Sequence, residues 1–291
     1  FDYYSEKMYR YGLNIFDTLR NVTNAMVLHE ELAQLYYKMK KYDKAIIQLD
    51  SVFSYYDNLY TKDDRDSCYY RPLSQLAMCN ARLGNFDLAL SQIDEAIDDF
   101  YKKRKDFNYY EALRKRGKIL MLQADSLGSG QYKKAANSYQ QYVNERYTAI
   151  GKEMKGMSDS QRNQYWLATH QFLYDCYRLG NYAPEMLYDL ALFSKDYLVR
   201  KNATQTKWEQ VKKALGKKDC AIEFVQYFGK KDEKRLGCLV LRNNSKKPLF
   251  IDLFPTDSLL DLPLTSLYTI GEAIVHPNIT VKDTLYNDTR L

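Results

Sequence analysis

Apolar residues recur every three to four positions through most of the first two hundred residues. In "YDKAIIQLDSVF", residues 42–53, Ala45, Leu49 and Val52 fall at i, i+4 and i+7, with Gln48, Asp50 and Ser51 between them. That spacing places one apolar stripe along a helix. The pattern returns in "FDLALSQIDEAI", residues 86–97, through Ala89, Ile93 and Ala96. Near residue 220 the period changes. "CAIEFVQYF", "LGCLVLR" and "LFIDLF" are short runs rich in β-branched and aromatic residues, separated by "GKKDEKR" and "NNSKKP". Runs joined so closely predict an antiparallel three-stranded meander, with the second run, apolar throughout, at its centre. Glu223 and Gln226 point to one partly wet face. Just upstream, "TKWEQVKKALG" predicts a short helix with Trp208, Val211 and Leu215 on one face, closed by Gly216.

The helical part repeats itself. Leu32, Ala33, Tyr42, Asp43, Ala45, Leu49 and Val52 align without gaps on Leu76, Ala77, Phe86, Asp87, Ala89, Ile93 and Ala96. The pattern is that of a helical hairpin: small alanines let the two helices approach closely, and an aromatic plugs the turn. Gly84 and Asn85 supply a turn backbone that tolerates positive φ. A third copy places Tyr132, Ala135, Tyr139 and Tyr142 in register, with its first helix around residues 109–124 and an extra "DSLGSG" loop between. A fourth, "FLYDCYRLGNYAPEMLYDLALF", repeats the "RLGN" of residues 82–85 and puts Pro184 in the first turn of its second helix. Residues 5–20 read as the second helix of a truncated hairpin. The set resembles the tetratricopeptide repeat, although the spacing, 44 residues from Ala45 to Ala89 and 46 from Ala89 to Ala135, exceeds the usual length of about 34. The resemblance covers roughly residues 5–200 and implies a right-handed superhelix of about four and a half hairpins.

A superhelix of this kind carries no chemistry of its own and offers a concave groove lined by the first helices. Register places Glu30, Gln34, Tyr37, Arg71, Ser74, Met78, Arg114, Lys118, His170, Tyr174 and Tyr177 on that side. His170, Tyr174 and Tyr177 form its aromatic cluster, and the basic residues favour an acidic or C-terminal carboxylate ligand. An ordinary solvated face is the plain alternative.

Composition narrows the classes. Lys and Arg number 43 and Asp and Glu 37, a net charge of +6 that is mild and interspersed. A nucleic-acid binder would show a sustained basic stripe and a recognisable module, and neither is present. No stretch is long and apolar enough to span a bilayer. The 28 tyrosines suit thin helical layers, where the ring packs and the hydroxyl stays wet. The five cysteines, Cys68, Cys79, Cys176, Cys220 and Cys238, include no CxxC pair and indicate neither a disulfide framework nor a metal site. The last four are expected to be buried. Reduced cysteines favour the cytoplasm. The first residue is Phe1 rather than Met, which points to a fragment or a processed product, and a lost signal peptide would reverse the compartment.

The C-terminal part has a resemblance of its own. Trp208, Val211, Leu215, Gly216 and Ala221–Val225, followed by "LVLR", "PLFIDLF" and "LYNDTRL", resemble the opening of a CHAT domain of bacterial type. This is a caspase-like peptidase family found after tetratricopeptide arrays. The resemblance implies a mainly α chain with a repeat array at 1–204 and the incomplete start of an α/β caspase-like domain at 205–291. It also implies that the catalytic His and Cys lie on later strands. His276 stands before Pro277 and Asn278, and Cys220 and Cys238 lie within the predicted strands, so none is assigned a catalytic role. The expectation is an interaction and sensor module of a larger cysteine peptidase, with no cofactor and a protein or peptide partner. The alternatives are a structural or oligomerising scaffold, or an enzyme built on His170 or His276.

Overall fold

The computed structural model describes residues 2–19, 21–61, 67–103, 105–169, 172–199, 206–230 and 232–259. They form a mainly helical chain with one small antiparallel sheet near the C-terminal end. The helices are α1 (Asp2–Thr18), α2 (Val22–Lys38), α3 (Tyr42–Leu59), α4 (Ser67–Arg82), α5 (Phe86–Lys103), α6 (Phe107–Leu127) and α7 (Tyr132–Glu153). They continue with α8 (Asp159–Thr169), α9 (Phe172–Tyr177), α10 (Pro184–Val199) and α11 (Trp208–Ala214). The strands are β1 (Cys220–Phe228), β2 (Lys234–Arg242) and β3 (Leu249–Pro255). The chain divides into two compact units at Tyr165/Trp166, within α8. This lies upstream of residue 204, where the sequence pattern changes, because α9 and α10 pack on the strands.

In the first unit each helix from α1 to α7 packs on the next, and the first helices meet one another, α2 on α4 and α4 on α6. The repeat explains the fit. Ala33, Ala45, Ala77, Ala89 and Ala135 are all fully buried, as are Leu49, Val52, Ile93 and Ala96 of the two matching stripes. The 44-residue spacing also holds in the turns. Lys40 and Gly84 occupy equivalent places and both take the left-handed conformation, at φ 59° and 88°. Gly84 does so freely, whereas Lys40 carries a side chain into a region that costs about 1 kcal/mol or more. Tyrosines serve as packing. Tyr69 meets Phe53, Tyr56 and Tyr70 edge-on at ring separations of 5.2, 5.6 and 5.2 Å, which forms an aromatic seam between α3 and α4.

In the second unit the strands run in the order β1-β2-β3, all antiparallel, with β2 in the centre as its uniform apolarity requires. Cys238 faces Phe224 on one side and Ile251 on the other. A register shift at Leu236/Gly237 marks an irregularity in the β2–β3 ladder. The expected wet face is corrected at Glu223, while Gln226 falls on the opposite face and is half-buried. Period two puts Glu223 in line with Val225 and Tyr227, so its carboxylate is buried and paired with Lys195 of α10. The uncovered face is instead apolar, with Phe224 67% and Leu249 59% exposed beside Ile222 and Ile251. Asp189 of α10 ties the start of α11, accepting from the Trp208 amide at 2.8 Å and from Lys207 Nζ at 3.0 Å. Cys79, Cys176 and Cys238 are buried as expected, but Cys220, the first residue of an edge strand, is exposed. Among the described residues no helix is long and apolar enough to cross a membrane.

Candidate functional site: the groove of the first helices

A cavity of about 410 Å³ lies in the first unit, lined chiefly by three non-consecutive helices. From α2 come Glu30, Glu31 and Gln34, from α4 Arg71, Ser74 and Gln75, and from α6 Phe107, Asn108, Glu111, Arg114 and Lys115, with Phe100 of α5 at its edge. Arg71, Ser74 and Gln75 stand at i, i+3 and i+4, and Glu111, Arg114 and Lys115 repeat that spacing, so each helix presents one face. Glu30, Gln34, Arg71, Ser74 and Arg114 are thus brought together as their register predicts.

The other predicted residues lie elsewhere. The Tyr37 hydroxyl accepts from Arg82 Nε at 3.4 Å, and its ring meets Tyr42 edge-on. Lys118 is half-buried on α6, outside the cavity lining. Met78 is buried, a correction: it shares the stripe of Arg71, Ser74 and Gln75, but α4 is packed by α2, α3, α5 and α6 and residues 76–81 are all buried, so this half of the helix is enclosed on every side. Tyr177 is likewise buried, and burial pushes its hydroxyl pKa well above the ordinary value. Tyr174 stacks edge-on against Phe228 of β1 at 5.9 Å, so its ring serves packing within the second unit. His170 lies outside the described residues.

The two guanidinium groups in the cavity have carboxylate partners. Arg71 Nη2 reaches Glu30 Oε2 at 2.5 Å, from α4 to α2, and Arg114 holds Glu111 on its own helix at 2.8 Å. Burial raises the Glu30 pKa despite the pull of Arg71. Lys115 differs. Its Nζ donates to Ser74 Oγ at 2.8 Å, and Ser74 Oγ in turn donates to the Arg71 carbonyl oxygen at 2.8 Å. Among the described residues this hydroxyl is its one hydrogen-bond partner. Burial, helped by the positive charges of Arg114 and Arg71 and opposed by Glu111, pulls the Lys115 amine down to about 8. Sequence reasoning stopped one residue short of Lys115. The first repeat's 44-residue shift, applied to Arg71, lands on it.

The depressed amine has a consequence for stability. The unfolded chain keeps Lys115 protonated up to its ordinary value of 10.5, while the folded chain releases the proton near 8. Between those values the unfolded state binds more protons, so this residue makes folding more favourable as pH rises. Below pH 8 the penalty for holding the charge is fully present. Lys115→Met is expected to stabilise the protein below pH 8, and the gap to wild type is expected to close towards pH 10. Urea titrations of both chains across that range check this; a gap that does not change with pH refutes it.

Among the described residues no group of three His, Cys, Asp or Glu side chains is placed to hold a metal ion. No protein-family model and no curated protein sequence matches the chain.

Proposed function

We propose that the helical array is a docking module of tetratricopeptide type that holds an extended segment of a protein partner in the groove of α2, α4 and α6. One observation carries this reading: five residues chosen by repeat register alone, from three separate helices, line a single cavity. On the same proposal the strands from residue 220 open a caspase-like domain of the CHAT family, and the array is the sensor of a larger cysteine peptidase. The support for that part is the sequence resemblance at Trp208–Val225.

No catalytic residue is assigned to this chain. Cys79 is buried and its thiol is pushed up to about 12, the opposite of what a nucleophilic thiolate needs. His29, the one histidine among the described residues, has its Nδ1 2.9 Å from Gln48 Oε1. A second reading, a scaffold that pairs its sheet with another chain, draws on the exposed apolar face at Ile222, Phe224, Leu249 and Ile251.

The test uses a fluorescent pool of random dodecapeptides and anisotropy. Gln34→Ala and Arg114→Ala are expected to weaken binding about tenfold each, as polar groups at a binding centre do, while the outward Lys44→Ala leaves it unchanged. Groove variants that bind normally sink the docking reading. Cleavage of the pool that disappears on a single Cys→Ala change sinks the assignment of this chain as non-catalytic. A dimer that Phe224→Lys splits into monomers favours the scaffold.

A further inference from the structure

We propose that Lys115 is the polar anchor of the cavity and takes a carboxylate from the docked segment, while an apolar group a few residues further along that segment rests on Phe107. This deepens the docking reading and rests on it. Arg71 and Arg114 each already hold a carboxylate, Glu30 and Glu111. Lys115 holds only a neutral hydroxyl, yet an ammonium has three protons to donate. A half-buried ammonium with one neutral protein partner keeps protons that water takes until an incoming anion replaces that water with a charge-assisted bond. Ser74 is fixed by its own bond to the Arg71 carbonyl, so the ammonium is held in place before a ligand arrives. Phe107, 71% exposed at the start of α6, offers an apolar surface in the same cavity, eight residues or about 12 Å along the helix from Lys115.

The charge balance selects the kind of anion. Glu30, Glu31 and Glu111 offset Arg71, Arg114 and Lys115 within the lining. Three carboxylates around the rim oppose a dianion such as a phosphate monoester, whereas a single carboxylate meets one ammonium without excess. The groups that face Lys115 are Glu111 and Arg114 from α6, Arg71 and Cys79 from α4, and Glu30 and Glu31 from α2. Cys79 stays a neutral thiol and the arginines stay charged through neutral pH. The proton on Lys115 is therefore what binding depends on as pH rises. Affinity for the carboxylate is expected to hold below pH 8 and to fall above it.

Three fluorescent dodecapeptide pools separate the sources of the carboxylate. One is amidated with a central Glu between apolar residues, the second is identical with Gln, and the third is the Gln pool with a free C-terminus. The Glu pool, the free-acid pool or both should bind about tenfold tighter than the amidated Gln pool, and Lys115→Met should erase the difference. Lys115→Arg, which preserves the charge, should keep the preference and lose the fall between about pH 7 and about pH 9.5. Tighter binding of the Glu pool identifies an internal acidic side chain; tighter binding of the free-acid pool identifies a chain end. If all three pools bind alike but respond to Gln34→Ala, docking stands and the anchor role of Lys115 is overturned. If Lys115→Met retains the preference, the anchor role is overturned too. If no pool binds, the docking reading falls and takes this inference with it.

Discussion

Gly180→Ala is expected to cost the second unit about 2–3 kcal/mol, the range typical of a methyl group forced into a filled core. Gly180 follows α9, its amide bonded to the Tyr177 carbonyl at 3.1 Å. A Cβ built there overlaps the ring of Phe250 on β3. The ring has nowhere to go. On its far side a Cβ at Gly237 would stand only 2.9 Å from the same ring, and Tyr227 meets it edge-on at 5.6 Å. Phe250 therefore occupies a slot between two glycines, and only 8% of it is exposed. Both tryptophans of the chain, Trp166 and Trp208, belong to the second unit, so their fluorescence reads its unfolding separately from the helical signal of the first. The variant should shift that transition to lower urea. Phe250→Leu in the Gly180→Ala background should recover part of the loss, because the smaller side chain yields the space; the two changes would then be strongly non-additive. An unshifted tryptophan transition, or simple additivity, would show that the slot is roomier than its geometry implies.

Much of this architecture was legible because the repeat is written in residue size. Ala33, Ala45, Ala77 and Ala89 occur at the places where helices must approach, and the strands announce themselves through β-branched and aromatic runs. The order of the meander followed from the apolarity of its middle strand. Burial around a whole helix was not legible. A stripe read from one sequence shows which side of a helix is buried first, not how many neighbours surround it. Helix α4 has four, so Met78 is enclosed while Arg71, a little less than two turns earlier, remains exposed. Glu223 misled for a related reason. An acidic residue in a strand reads as facing solvent, yet Lys195 from another element meets its charge on the covered face. Five of the groove positions line one cavity, whereas Met78, on the same stripe of α4, falls where residues 76–81 are all buried.

Ala89→Leu should be the most damaging small change in the first unit, with an expected loss of about 3 kcal/mol. Ala89 has no exposed surface and sits in the first turn of α5, where that helix lies against α4. Its counterpart Ala45 stands equally buried in α3, 44 residues earlier. A leucine adds three carbon atoms where two backbones are already close, so the helices must separate or the side chain must leave its rotamer well. Separation spreads, because α4 also packs on α3 and α6, and the neighbouring hairpins lose contact with it. Leu88→Ala provides the contrast. Leu88, one position away, is 51% exposed, and truncating it should change stability by no more than about 0.5 kcal/mol. By hydrophobicity alone the ranking would reverse, since the first change adds apolar surface and the second removes it. Urea denaturation followed by helical circular dichroism distinguishes the two accounts. A lowered midpoint for Ala89→Leu beside an unmoved one for Leu88→Ala means that close approach at the alanines sets the stability of the array. Tolerance of leucine at residue 89 would mean that the hairpins have slack, and that the small residues are not what holds α4 against α5.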